Sequence, residues 1–383
     1  MEDYQKMIDR MINDGYCTMP DKHKAIYDLN IYYQDLQEIM EKAYPDQSSD
    51  FSFAVFRAAL YHWNLGHDST TDYELYKLYL RNRDINELRS RTFSLPEIMK
   101  IKSNEEQLLK RFKDDIASPQ KPFIISSFHY SSYKSLVNYL INNSFTVFII
   151  ASNGIINQNR DNLDFYVKAM NHLFGKHSDV RYIAAEDFNS MLTLAEILSD
   201  KKINPKTVFL LFPDGNIGSK QNIDPKRFEQ VRFLGKDLWV RKGVFMFAEM
   251  FHIPIYNVII DSDIQNNINI NIEFYIENPK TVKHNSKNTS ILFYNVLEKY
   301  LLCRNLHKWE CWVYIHSWHE HLTPPVEDKE FVSINNYDEN RFTLIAIKQD
   351  KYVFDSKYYL SYPIQGNETE TLMDIILKTN VTL

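Results

Sequence analysis

Residues 123–134 read Phe-Ile-Ile-Ser-Ser-Phe-His-Tyr-Ser-Ser-Tyr-Lys, a short apolar run that ends at a histidine and gives way to helix-forming sequence. Branched and aromatic side chains favour extended backbone, and a run of this length is too brief for a core helix. The same pattern recurs at 145–150, 180–183, 208–212 and 254–260, with helical spacing between at 132–142, 162–174, 187–199 and 240–251. Strands alternating with helices predict an α/β core over 119–322, a mainly parallel sheet flanked by helices. Ligands of such sheets bind outside the carboxyl ends of the strands.

Working outward, 25–40, 53–63 and 73–80 carry apolar residues at three-to-four spacing, which predicts a helical N-terminal portion over 1–118. Its breaks are expected at Asp14-Gly15, at 45–50 and around Gly66, where turn formers cluster. Beyond Thr323-Pro324-Pro325 the alternation stops. Residues 342–347 and 351–354, joined by Gln349-Asp350, predict a hairpin, and 368–378 a short helix, so 323–383 reads as a small α+β appendage.

Composition narrows the class. Of 383 residues, 44% are hydrophobic and 25% charged, with 24 Phe and 25 Tyr, which describes a folded chain with much to bury. A net charge of −6 argues against a nucleic-acid binder with a basic surface. Cys17, Cys303 and Cys311 show no CxxC spacing, so neither a disulfide framework nor a zinc ribbon is expected, and a reducing cytoplasm fits. Neither a signal peptide nor a spanning apolar run is legible. A soluble cytoplasmic protein is expected, at most peripheral to the inner membrane.

Three clusters can carry chemistry. His129 leaves a strand end, where an imidazole that titrates near neutrality can act as general base or simply bond to backbone; Ser131 or Ser132 can cap the following helix. Asp214, in Phe212-Pro213-Asp214-Gly215-Asn216, follows another strand in a tight turn, either facing the crevice above the sheet or closing an Asx-turn. Arg241 and Lys242 precede Gly243 at an expected helix start, where an anionic group can be accepted. Other clusters read as structural: His316, His319, Glu320 and His321 as no metal site; Arg81, Arg83, Arg89 and Arg91 as a solvated helix face or a dock for an acidic carrier; Cys311 as a core residue between Trp309 and Trp312.

Taken in order, His129 with its helix, the Pro213-Asp214-Gly215 turn, Val231-x-Phe233-Leu234-Gly235, Gly243-x-x-x-x-Ala248 before Ile253-Pro254-Ile255, and the tryptophan-rich 306–318 segment resemble the lipid A biosynthesis lauroyl/myristoyl acyltransferase family of the lysophospholipid acyltransferase superfamily, over about 120–320. The resemblance implies a lysophospholipid acyltransferase-like core and transfer of an acyl group from an acyl carrier protein or coenzyme A thioester to a hydroxyl or amine. The co-substrate is then a phosphopantetheine-linked acyl thioester, with no bound cofactor or metal and with a small-molecule or peptide acceptor. His129 matches the histidine of the family's His-x-x-x-x-acid motif, but Lys134 stands at the acid position. An ammonium has no acceptor for an imidazole N–H. Three readings stay open: Asp214, Glu186 or Asp187 orients His129; Lys134 binds a substrate phosphate; or the chain is a non-catalytic binder of acyl chains or carrier protein. His129 and Asp214 are the candidate catalytic residues; Lys134, Ser131, Gly215, Asn216, Arg241 and Lys242 are the candidate substrate-binding ones.

Overall fold

The computed structural model describes residue 38 and residues 51–91, 122–174, 177–185, 187–199, 206–215, 228–262, 268–277, 279, 285–303, 305–318, 341–347 and 350–363. The turns expected at Asp14-Gly15 and 45–50, the expected domain boundaries at 118 and 322, the helix at 368–378, and Cys17, Glu186, Asn216, His319, Glu320 and His321 lie outside them; of the expected helix at 25–40 only Glu38 is described, and it is helical.

Beyond Glu38, the first described elements are the helices α1 (Phe51–His62) and α2 (Ser69–Arg91). The core follows as β1 (Phe123–Ser126), α3 (Ser135–Asn142), β2 (Thr146–Ala151), α4 (Asn153–Phe174), β3 (Asp179–Ala184), α5 (Phe188–Ser199), β4 (Thr207–Leu211), β5 (Phe228–Phe233), β6 (Lys236–Arg241), α6 (Gly243–Phe251), β7 (Ile255–Ser262), β8 (Ile268–Ile276) and α7 (Ser286–Leu302). Three 3-10 turns, Leu306–Lys308, Glu310–Val313 and Ile315–Trp318, end it. Six strands form one sheet in the order β3-β2-β4-β1-β7-β8, parallel except for the antiparallel β7–β8 pair at one edge. The mixed α/β core with a mostly parallel sheet thus stands as expected.

Strand alternation divides the packing. Ile124, Phe209, Ile255 and Ile259 point to one face, against Phe245 and Phe247 of α6, Phe293 and Tyr294 of α7, and Trp309. Ile125, Val208, Leu210 and Val258 point to the other, against Leu136 and Leu140 of α3 and Leu163 and Val167 of α4. The connection leaving β1 therefore crosses one face toward β2, while the connection leaving adjacent β4 crosses the opposite face toward β7. Diverging connections from neighbouring parallel strands open a crevice above their carboxyl ends, the topological switch point.

Two expectations are corrected. Residues 240 and 241, expected to open a helix, instead end the β5–β6 hairpin, Phe228↔Arg241 to Phe233↔Lys236, turning at Leu234 (φ 48°) and Gly235 (φ 79°). Positive φ at both turn residues matches the twist of the strands, and Leu234 accepts the cost because its amide donates to Glu298 Oε2 at 2.8 Å. The helix expected from 240 accordingly begins at Gly243. Nor does a serine cap α3: Lys134 occupies the N-cap position, and its side chain makes no capping bond to the helix.

The appendage is a three-strand antiparallel meander, β9 (Phe342–Ile347), β10 (Asp350–Asp355) and β11 (Leu360–Pro363), one strand more than the expected hairpin. Helix α1 is apolar nearly all round because it is buried on two sides. Phe53, Phe56 and Leu60 enter the core; Ala54, Val55 and Ala58 meet Ile345 and Phe354 of the meander.

Candidate active site

His129 follows β1 and Asp214 follows β4, so the switch point brings together two side chains 85 residues apart in sequence. His129 Nδ1 lies 2.8 Å from Asp214 Oδ1, and the His129 backbone N–H donates to Asp214 Oδ2 at 2.9 Å. The aspartate has no exposed surface, while the histidine side chain keeps 20%. Because an ionised carboxylate only accepts, the 2.8 Å contact puts a proton on Nδ1 and leaves the Nε2 lone pair on the opposite edge of the ring. Phe212 and Tyr133 flank the imidazole, with ring centroids 4.9 and 4.8 Å away.

The tryptophan-rich segment closes the site from behind. It pairs with the β1–α3 loop: Tyr130 and Trp309 form an antiparallel bridge, Glu310 N–H donates to the His129 carbonyl at 2.9 Å, and Ser131 N–H donates to the Lys308 carbonyl at 2.7 Å. That register aims Trp309 Nε1–H at Asp214 Oδ2, 2.8 Å away. A fully buried carboxylate is costly unless paired and hydrogen-bonded, and here it meets one imidazole, one indole, one amide and the Cys311 thiol, 3.3 Å from Oδ2.

The charges follow. Burial pushes the His129 imidazole toward its neutral form, but the Asp214 charge and hydrogen bond outweigh it, so its pKa is raised. Burial likewise works against ionised Asp214, yet the His129 charge and the N–H donors hold the carboxyl below its ordinary value. Glu310 is a second carboxyl at the site: burial raises its pKa against the Lys134 and His129 charges and the bonds from Asn86 and Tyr133. Tyr133 Oη–H donates to Glu310 Oε2 at 3.2 Å and Asn86 Nδ2 to Oε1 at 3.3 Å.

The other expected site residues fall in three places. Lys134 is beside the dyad, its ammonium 5.9 Å from the Tyr133 ring and opposing the His129 charge. Gly215 closes the Asp214 turn through its N–H to the Phe212 carbonyl at 3.3 Å, and a Cβ there would stand 3.8 Å from His129 Cε1. Ser131 is buried and bonded through Oγ to Ser262 Oγ at 3.0 Å. Asp187 is exposed beyond β3. Arg241 packs over the Phe228 ring at 5.6 Å, and Lys242 Nζ lies 4.0 Å from Glu229 Oε2. Both stand at the open end of the β5–β6 hairpin, about 16 Å along the strand from the tip, where Phe233 touches Trp309.

Ligand atoms of His129, Asp214 and Cys311 lie within 4.8 Å of one another, a spacing a metal can use. The donor set is wrong for one. Asp214 Oδ2 faces the Trp309 and His129 N–H groups, which have no lone pair to offer, and burial keeps Cys311 a thiol with its pKa well above the ordinary range.

Sequence reasoning missed Glu310 and Asn86. An acid between Trp309 and Cys311 in an aromatic run was a legible sign of a buried carboxyl. Nothing local marks Asn86, which reaches the site from α2. Among the described residues no helix is long and apolar enough to cross a membrane. Compared with protein-family models and with curated proteins, the chain matches none.

Proposed function

We propose that the chain is an acyltransferase in which His129 is the general base and Asp214 the acid that orients it. One observation carries the reading: the Nδ1 edge of His129 is bonded to a buried carboxylate at the sheet's switch point, which leaves Nε2 as the acceptor on the other edge. The acid that Lys134 fails to provide is thus supplied by Asp214, from a different strand. This contact supports the catalytic reading over a non-catalytic binder.

Which nucleophile Nε2 serves follows from its neighbours. Ser131 is bonded to Ser262, Ser126 and Ser127 are buried with no hydrogen bond to His129, and Cys311 is on the Asp214 side as a neutral thiol. Among the described residues none of these side chains is bonded to Nε2, and in this reading the nucleophile comes with the substrate, as a hydroxyl or amine. Nε2 takes its proton as the acceptor attacks the thioester carbonyl; the tetrahedral intermediate expels thiolate, which recovers the proton from the imidazolium. One bond to carbon forms, the C–S bond breaks, and no oxidant or cofactor is consumed. Asp214 stabilises the imidazolium while it exists. The Lys134 ammonium is the candidate cation for the developing oxyanion or a pantetheine phosphate.

Intact-mass spectrometry tests this, with carrier-protein and coenzyme A thioesters incubated with hydroxyl and amine acceptors. The expected result is an acceptor mass gain that His129→Ala lowers about 10²–10⁴-fold, the usual worth of a positioned base. A mass gain indifferent to His129→Ala would overturn the assignment.

A further inference from the structure

The mechanism uses His129 and Asp214 but leaves unexplained why helix α2 reaches into their surroundings. Asn86, buried on α2, donates through Nδ2 both to the Ser131 carbonyl and to Glu310 Oε1. Tyr79, two turns earlier on the same helix, donates through its hydroxyl to the Glu310 carbonyl at 3.2 Å. Two segments that meet at the Tyr130–Trp309 bridge are thus fastened a second time from outside the α/β core.

Both fastened segments bear on the imidazole. Ser131 has φ of 50°, a left-handed conformation that is unfavourable for a non-glycine residue and persists only where its surroundings fix it. Its N–H, hydroxyl and carbonyl are all engaged, by Lys308, Ser262 and Asn86. Glu310 in turn holds Tyr133 by its hydroxyl, and the Tyr133 ring packs on His129. A carboxyl sits where it touches the loop that carries the base, the ring that flanks it and the helix outside.

We propose that Glu310, fixed by Asn86 and Tyr79 of α2, is a positioning residue that holds the His129 loop and supports the imidazolium, so that the helical N-terminal segment is a working part of the site. The inference rests on the proposed role of His129 only for its consequence, since the coupling itself is a property of the resting protein. The groups facing His129 are Asp214 from the turn after β4, Tyr133 and Lys134 from the β1–α3 segment, and Glu310 and Cys311 from the 3-10 turns. Those facing Glu310 are Lys134, His129 and Tyr133 from the core, Cys311 and Tyr314 from its own segment, and Asn86 and Tyr79 from α2, with Arg83 acting on Tyr79. Of these, Lys134 opposes the imidazolium and Glu310 offsets it.

Titration of the His129 ring by NMR in the full chain without substrate tests this, the resonance being assigned by its loss in His129→Gln. Glu310→Gln removes the charge but keeps the shape, and the Tyr133 hydroxyl can turn from donor to acceptor to satisfy the new amide. The His129 midpoint is expected to move down in Glu310→Gln, down by less in Asn86→Ala, and up in Lys134→Met. A Glu310→Gln midpoint equal to that of the native chain, or above it, would overturn the inference, as would an Asn86→Ala protein whose His129 midpoint is unchanged. Because no acyl donor is present, failure of the acyltransferase reading leaves these outcomes intact, and failure of the coupling leaves that reading intact.

Discussion

The β1–α3 loop and the β6–α6 junction are alike in sequence: each follows a strand, precedes a helix and carries a charged or titratable residue where a helix begins. They differ in what surrounds them. His129 is met by Asp214 from the neighbouring strand and by Trp309 behind it, all above the switch point of the sheet. Arg241 and Lys242 end a two-strand ribbon and face Phe228 and Glu229. A helix start with a cation beside it is common; convergence of segments from three parts of the chain on one imidazole is not. Local motif is therefore a poor guide to chemistry, and the topology of the connections a better one.

The largest expected effect separates the two regions by turnover. Asp214→Asn removes the acceptor that holds the proton on Nδ1, and a loss of about 10²–10⁴-fold in transfer is expected, read by initial rates. The ribbon is expected to matter for stability instead. Phe233→Ala at its tip removes a fully buried ring from contact with Trp63, Tyr294 and Trp309, which costs about 3–5 kcal/mol in denaturant unfolding with turnover per folded molecule retained. Smallest is the open end of the ribbon, where Arg241→Ala with Lys242→Ala is expected to change transfer by about twofold at most, in keeping with surface positions. A large loss there would erase the distinction between the regions.

Acidity sharpens it further. As a base His129 must be neutral, and its pKa is raised above 6.5, so transfer is expected to rise with pH through a midpoint above that value. Stability runs the other way. A raised histidine contributes fully below its unfolded pKa of about 6.5 and loses the contribution as pH climbs through the folded value. A lowered aspartate contributes above its unfolded value of about 3.8 and loses it as pH falls through the folded one. The pair is therefore most stabilising between those limits, on the acid side of best turnover. Melting temperatures and rates across pH, compared with Asp214→Asn, check both directions.

Much of the fold was legible because its strands are short, apolar and separated by helix-length segments: all five core strands read from 123 to 260 are present in the parallel sheet or at its pairing edge. The β5–β6 hairpin was not read as such, although Val231, Phe233, Leu238 and Val240 alternate inward, because Leu234-Gly235 is a weak turn signal beside Asn-Gly. Within the site, His129 and Asp214 stood out as polar residues at strand ends. Their pairing was one of several open readings, since sequence does not say which strands become neighbours. Asn86 and Glu310 act through contacts spanning 224 residues, which no local pattern encodes.

In the proposed mechanism Asp214, and not position 134, supplies the acid to His129. Acyl transfer measured side by side for the native chain, Asp214→Asn, Lys134→Glu and the double variant tests it most directly. Transfer by the native chain, a fall of about 10²-fold or more in Asp214→Asn, and no gain from Lys134→Glu are expected. Full transfer by Asp214→Asn, or activity that appears only once Lys134→Glu is introduced, would contradict it.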